Sequence, residues 1–142
     1  SVGYRRGADR LRPWSRVLPH SGVRSRVVQW GRPAGDAGLA KPAFRARLEL
    51  GATRRAVVKL SGIGKFSHEP PPHEDAWPFV EALVDAFTLD HCLWASDWPY
   101  LRAPTRVDYG VLLKLVLTLF PDASDRRKLL WDTPRALFAF GS

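Results

Sequence analysis

Apolar positions follow two rhythms from Val27 onward, short continuous runs and stripes of helical spacing. Val27-Val28-Gln29-Trp30, closed by Gly31-Arg32-Pro33, reads as a buried strand and its turn. Lys41 to Leu50 sets Phe44 and Leu48 four apart on one helical face, with Gly51 as the expected C-cap. Ala56 to Leu60 is a second strand, β-branched at its centre and closed by Ser61-Gly62. After a loop bearing Pro70, Pro71 and Pro72, Asp75 is placed as an N-cap. Trp77, Val80, Leu83, Val84 and Phe87 then give the stripe of an amphipathic helix. Cys92 to Ser96 is a third strand. Val107 to Phe120 is a helix apolar nearly all round, hence expected to be well covered. Ser124 is read as the cap of a short helix through Leu130, and Asp132-Thr133-Pro134 as cap and first turn of a last helix carrying Leu137, Phe138 and Phe140.

Strand and helix alternate, and successive strand ends lie about thirty to forty residues apart, as βα units require. Near-continuous apolar strands in that order predict a parallel sheet with right-handed crossovers. Only about three units are present. Closing a (β/α)8 barrel takes roughly 250 residues, so a chain of 142 residues is expected to form an incomplete one. A doubly wound open sheet is the alternative, although three strands make a meagre one.

Charge changes the picture at the N-terminus alone. Residues 1–34 hold eight arginines against one acid, Asp9, whereas residues 35–142 hold 14 basic and 13 acidic side chains. Of the net charge of +8, +7 belongs to the first segment and +1 to the body, which is balanced, as in a metabolic enzyme. Residues 1–26 show neither periodicity. They read as an arm for phosphate backbones, an Arg-rich targeting segment, or text never selected to fold; the third fits best, because interleaved aromatics and an amphipathic helix are both lacking. Residues 27–142 form the expected domain. No partner nucleic acid or membrane is expected, since the longest apolar run, Val111 to Phe120, is interrupted by Lys114 and too short for a bilayer. The single cysteine, Cys92, reads as a small buried hydrophobe and fits a reducing, cytoplasmic setting.

Leu93-Trp94-Ala95-Ser96-Asp97-Trp98-Pro99-Tyr100 is the most informative stretch. An apolar run delivers a carboxylate into a turn stiffened by Trp98 and Pro99, at the end of a parallel strand where ligands bind in such sheets. The plain alternative is an Asp that bonds its own turn. The histidines add little. His68 and His73 flank a proline run that holds them extended, so a solvent-exposed acidic loop is expected in preference to a metal cluster. His91 is read as a rim residue, and His20 falls in the doubtful segment.

Taken together, Val28 to Pro33, Val58-Lys59-Leu60-Ser61-Gly62, Leu93 to Tyr100 and Leu129 to Phe140 resemble the C-terminal part of the amidohydrolase-related ("amidohydrolase 2") family, which includes the 2-pyrone-4,6-dicarboxylate lactonases. The family's texts there have the form V-I-D-H-x-G-R-P, V-K-x-S-G, L-W-G-S-D-W-P-H and N-P-A-R-L-F-G-F. The resemblance covers residues 27–142 and implies a (β/α)8 TIM barrel of hydrolases and decarboxylases, represented here by its C-terminal portion. It places Asp97 where the family keeps its final-strand aspartate, a divalent-metal ligand or proton relay in some members and a general base towards water in lactonase-like ones. Lys65 falls where such members place an Arg for a substrate carboxylate; a Lys offers a point charge in its place, or is a solvated loop residue. Tyr100 stands where the family has His, and is a candidate hydrogen-bond donor to substrate. Lys59, Ser61, Gly62, Trp98, Pro99 and Arg32 are taken as structural parts of the motifs.

The departures carry equal weight. The family's Asp-His before Gly-Arg-Pro is Gln29-Trp30 here, and the His-x-His of its first strand has no counterpart. Zinc or another divalent metal used by the full-length family therefore lacks its histidine ligands in this sequence. The expected activity is hydrolysis of a C–O or C–N bond, lactone-like, in a small carboxylated substrate, with a truncated chain showing little or no activity alone. The alternative is a non-catalytic remnant that completes its sheet on a partner, and open sheet edges make a homo-oligomer the expected form.

Overall fold

The computed structural model describes the backbone of residues 25–27 and all of 38–101 and 107–138. The basic residues 1–24, the turn holding Arg32, and Phe140 lie outside these, as does Gln29-Trp30.

Three strands, β1 (Ser25–Val27), β2 (Ala56–Ser61) and β3 (Cys92–Ala95), form one parallel sheet in the order β1-β2-β3. Val58 stands opposite Cys92, Lys59 opposite Leu93 and Ser61 opposite Ala95. The crossovers carry helices α1 (Pro42–Ala52) and α2 (Trp77–Phe87), which pack on each other and on β2. Beyond β3 come α3 (Tyr109–Leu119), α4 (Ala123–Arg127), a π-helical turn (Lys128–Asp132) and α5 (Thr133–Phe138). No helix among the described residues is long and apolar enough to cross a membrane.

Alternation along β2 decides which side of the sheet is covered. Ala56, Val58 and Leu60 are buried, while Val57 and Lys59 are half-buried. The buried set joins Phe44, Val80, Leu83, Phe87, Cys92 and Leu129 in one core. Each fully buried Leu or Phe there contributes about 1.5–3 kcal/mol. The opposite face, with Lys59 and Leu93 side by side, is only partly covered. Ser61 and Ala95 continue that face towards the strand ends.

Several boundaries differ from the sequence reading. Gly51 does not end α1; it lies inside the helix, and a Cβ there would sit 2.6 Å from Phe87 Cε2. The missing side chain lets α2 bring a phenyl ring against the α1 backbone. The left-handed position after the helix is filled by Arg54, at φ 58°. Asp75 is not the cap of α2, which starts from Ala76. It accepts hydrogen bonds from Ser67 Oγ and, at 2.7 Å, from the His68 amide, folding the proline loop on itself. Asp122 and not Ser124 caps α4, accepting from the Ser124 amide at 2.7 Å. Nor does a new helix begin at Asp132: the chain runs through the π turn into α5 without a break. Thr133 there donates its hydroxyl to Leu89 O at 2.9 Å. Helix α3 buries Leu112, Leu115 and Val116 but leaves Tyr109, Val111, Leu113 and Leu117 exposed, against the expected coverage.

Candidate active site

Two strand ends build the site. β2 stops at Ser61, and Gly62, in the left-handed conformation at φ 67°, turns the chain into the 3-10 turn Ile63–Lys65. That turn aims Lys65 across the sheet. β3 stops at Ala95, and Asp97 and Tyr100 both take positive φ, 58° and 62°, around the cis Trp98-Pro99 bond. Asp visits this region readily; a bulky Tyr does so at a cost of about 1–3 kcal/mol. The Tyr100 amide donates to Asp97 O at 2.8 Å, which closes the turn, and the Trp98 amide donates to Ser96 Oγ at 3.3 Å. Trp98 itself is exposed.

Lys65 Nζ lies 2.6 Å from Asp97 Oδ2, and both side chains are half-buried. The same ammonium sits 4.8 Å from the centre of the Tyr100 ring. A Cβ on Gly62 would come within 3.2 Å of Asp97 Oδ2, so glycine leaves the space in which the pair meets. Partial removal from water strengthens a charge-assisted hydrogen bond of this length.

Tyr100 is 4% exposed, and burial is the main cause that pushes its phenol up from the ordinary value, with Asp97 adding to the effect. The hydroxyl turns inward, towards the backbone amides of Gly64 and Lys65, and makes no hydrogen bond of good geometry. What Tyr100 offers the ion pair is its ring face.

The sequence candidates separate accordingly. Asp97, Lys65, Tyr100 and Gly62 come together. Ser61 is buried at the end of β2, Lys59 stands on the partly covered face, and Trp98 and Pro99 form the exposed tip of the turn. His73, assigned by sequence to an exposed acidic loop, is 6% exposed while Pro70, Pro71, Pro72 and Glu74 around it are exposed. Its Nδ1 contacts Glu69 O at 2.8 Å, and its Nε2 edge approaches Gly64 from the side that Tyr100 also occupies. Only the backbone reversal at His73, at φ 62° and ψ 50°, brings the ring inward, and no local sequence signal announces it. His91 is half-buried near the start of β3 and takes no part in this cluster.

The donor set does not fit a divalent metal. Among the described residues no three His, Cys, Asp or Glu side chains converge as ligands would, and Asp97 Oδ2 is held by an ammonium. Cys92, whose thiol burial pushes up to about 12, is no nucleophile.

The family model described as Amidohydrolase matches residues 19–140. The chain belongs to the amidohydrolase family. This amidohydrolase chain is 36% identical over 115 residues to a 4-sulfomuconolactone hydrolase from Rhizobium radiobacter, covering 79% of the chain and 38% of that relative. It is 29% identical over 122 residues to a 2-pyrone-4,6-dicarboxylate hydrolase from Comamonas testosteroni, over 40% of the latter. A solved Pseudomonas putida structure, assigned to 2-pyrone-4,6-dicarboxylic acid hydrolysis, superposes with a TM-score of 0.78 at 31% identity, covering 95% of this chain and 50% of that one. The amidohydrolase chain thus spans about half or less of the length of the relatives it matches. Its small parallel sheet with flanking helices corresponds to part of a TIM-barrel-type hydrolase.

Proposed function

We propose that this amidohydrolase chain supplies the C-terminal strand ends of a hydrolase acting on a carboxylated lactone, its three βα units being the C-terminal portion of a (β/α)8 barrel. The observation that carries this reading is the Lys65–Asp97 pair at 2.6 Å, formed by two adjacent strand ends. Lys65 takes a carboxylate of the substrate in exchange for Asp97. The released Asp97 carboxylate accepts a proton from water as the water oxygen adds to the lactone carbonyl. The ring C–O bond then breaks, and the departing oxygen takes up a proton. Each step asks only for an ionised carboxylate and a cation within reach of one another. The relatives' names support the substrate class, since both are hydrolases of carboxylated or sulfonated lactones.

A second reading rests on the sheet itself. Catalytic residues in such barrels come from several strand ends, and three strands are described here. On that reading the chain is a non-catalytic remnant, or an interaction protein completing its sheet on a partner.

Titration with 2-pyrone-4,6-dicarboxylate, followed by calorimetry and by absorbance as the ring opens, separates the two. Binding is expected to weaken about tenfold to a hundredfold in Lys65→Ala, through loss of a charge-assisted hydrogen bond, and to tighten in Asp97→Asn, which removes the competing carboxylate. Turnover by the chain alone is expected to be slow or nil. Where measurable it should fall by about 10²–10⁴ in Asp97→Asn. Undiminished turnover in that variant would exclude Asp97 as the base, and absence of binding would favour the second reading.

A further inference from the structure

We propose that His73 is a positioning residue for the Lys65–Asp97 pair, acting through Tyr100. The proposal rests on that pair being the working centre, and adds a residue that neither the family motifs nor the sequence pattern assigns.

Three observations meet at Gly64. A Cβ there would lie 2.6 Å from His73 Nε2 and 3.0 Å from the Tyr100 hydroxyl, so both groups press on the same face of one glycine. Glycine is required for that approach. His73 is fixed from behind: its amide donates to Pro70 O at 2.9 Å, and Nδ1 meets Glu69 O at 2.8 Å. A carbonyl oxygen only accepts, so Nδ1 carries the proton, and in the neutral imidazole Nε2 presents a lone pair.

The Tyr100 hydroxyl supplies the matching half. Its oxygen faces the amides of Gly64 and Lys65, which are donors, so its own proton needs an acceptor elsewhere. That proton has no partner among the described residues, although the side chain is buried. A buried hydroxyl without an acceptor is costly, and His73 Nε2 is the lone pair on the same face of Gly64. The two atoms share a face of Gly64 without a direct hydrogen bond, and we therefore assign a Tyr100 O–H to His73 Nε2 interaction through a bridging water. It ties the ring's polar end to the proline loop and leaves its face beneath the Lys65 ammonium, 4.8 Å away. Tyr100, at positive φ, has little local preference for its position, so an anchor at the hydroxyl sets the ring plane. Ring placement in turn sets where the ammonium meets Asp97.

The test reads Lys65 directly in the folded protein. The ε-methylene of a lysine above an aromatic ring is displaced upfield, and in ¹H–¹³C spectra Lys65 is expected to show this while Lys59 and Lys114 do not. Tyr100→Leu defines the signal without a ring. His73→Leu should lose the displacement, and His73→Gln, whose side-chain amide offers an acceptor near the Nε2 position, should keep most of it. Retention in His73→Leu, or equal loss in both variants, would show that His73 merely fills space and would overturn the proposal. If His73→Leu fails to fold, long-range ¹H–¹⁵N spectra of the unaltered protein decide: Nδ1 protonated with Nε2 bare supports the assignment, and Nε2 protonated overturns it. Adding 2-pyrone-4,6-dicarboxylate keeps the two readings apart. A Lys65 signal that depends on His73 but ignores the dicarboxylate refutes anion binding and leaves the positioning role standing.

Discussion

Burial governs the chemistry of Tyr100. Its phenol is raised above the ordinary value first by removal from water and then by the Asp97 charge, so the neutral form is favoured in the folded protein. A group whose folded-state value lies above its unfolded one contributes stability that is complete below the unfolded value, near pH 10, and is lost as pH rises through the folded one. Alkaline titration at the phenolate absorbance should therefore show Tyr100 ionising later than a free phenol. The urea midpoint should fall more steeply over the same range in the native protein than in Tyr100→Phe, where the buried Cys92 thiol, also raised, still contributes; a midpoint that moves equally in both would contradict this. At this scale the placement of Asp97 at a strand end and of Lys65 just past another was legible, because strand-end motifs are local, fixed by the residues on either side of them; that the two side chains pair was not. His73 was not, since its burial depends on a turn that folds the proline loop back over Gly64, thirty-six residues of chain away from Tyr100 in sequence terms.

Elements were easier to place than their ends. The cores of β2, α2 and β3 follow from β-branched runs and helical stripes, which periodicity reports directly. Caps were misread where several residues share the same aptitude. Asp122 and Ser124 are both good N-caps, and geometry chose the aspartate. Gly51 has the composition of a helix stop but serves the contact with Phe87, a neighbour that only tertiary packing supplies. Thr133 is a similar case: its hydroxyl ties α5 to Leu89 O, just ahead of β3. Thr133→Val keeps the shape and removes the donor, so it is expected to cost about 1 kcal/mol in urea unfolding with an unchanged slope. No change in midpoint would mean that the hydrogen bond is replaced without loss.

For the molecule as a whole, the unresolved tension is between a covered core and an uncovered rim. Tyr109, Leu113 and Leu117 recur every four residues on α3, and are 49%, 37% and 49% exposed. A stripe of that kind, together with the free outer sides of β1 and β3 among the described residues, favours association. Sedimentation of the chain is expected to show concentration-dependent oligomers, and the double variant Leu113→Lys with Leu117→Lys should shift them towards monomer; a monomer at all concentrations in the unaltered chain would refute this. The α3 sequence promised a helix but not its surroundings, because apolarity all round signals burial only when the rest of a structure is there to provide it. The π turn at Lys128–Asp132 has a consequence of another sort. Such a turn holds one residue more than an α-helical turn, so the final segment is set out of phase by about 100° relative to an uninterrupted helix. Deleting a single residue there would straighten the helix and swing Thr133 away from Leu89, whereas most substitutions would leave that phase intact. Spacing, more than residue identity, is what this stretch of chain has to preserve.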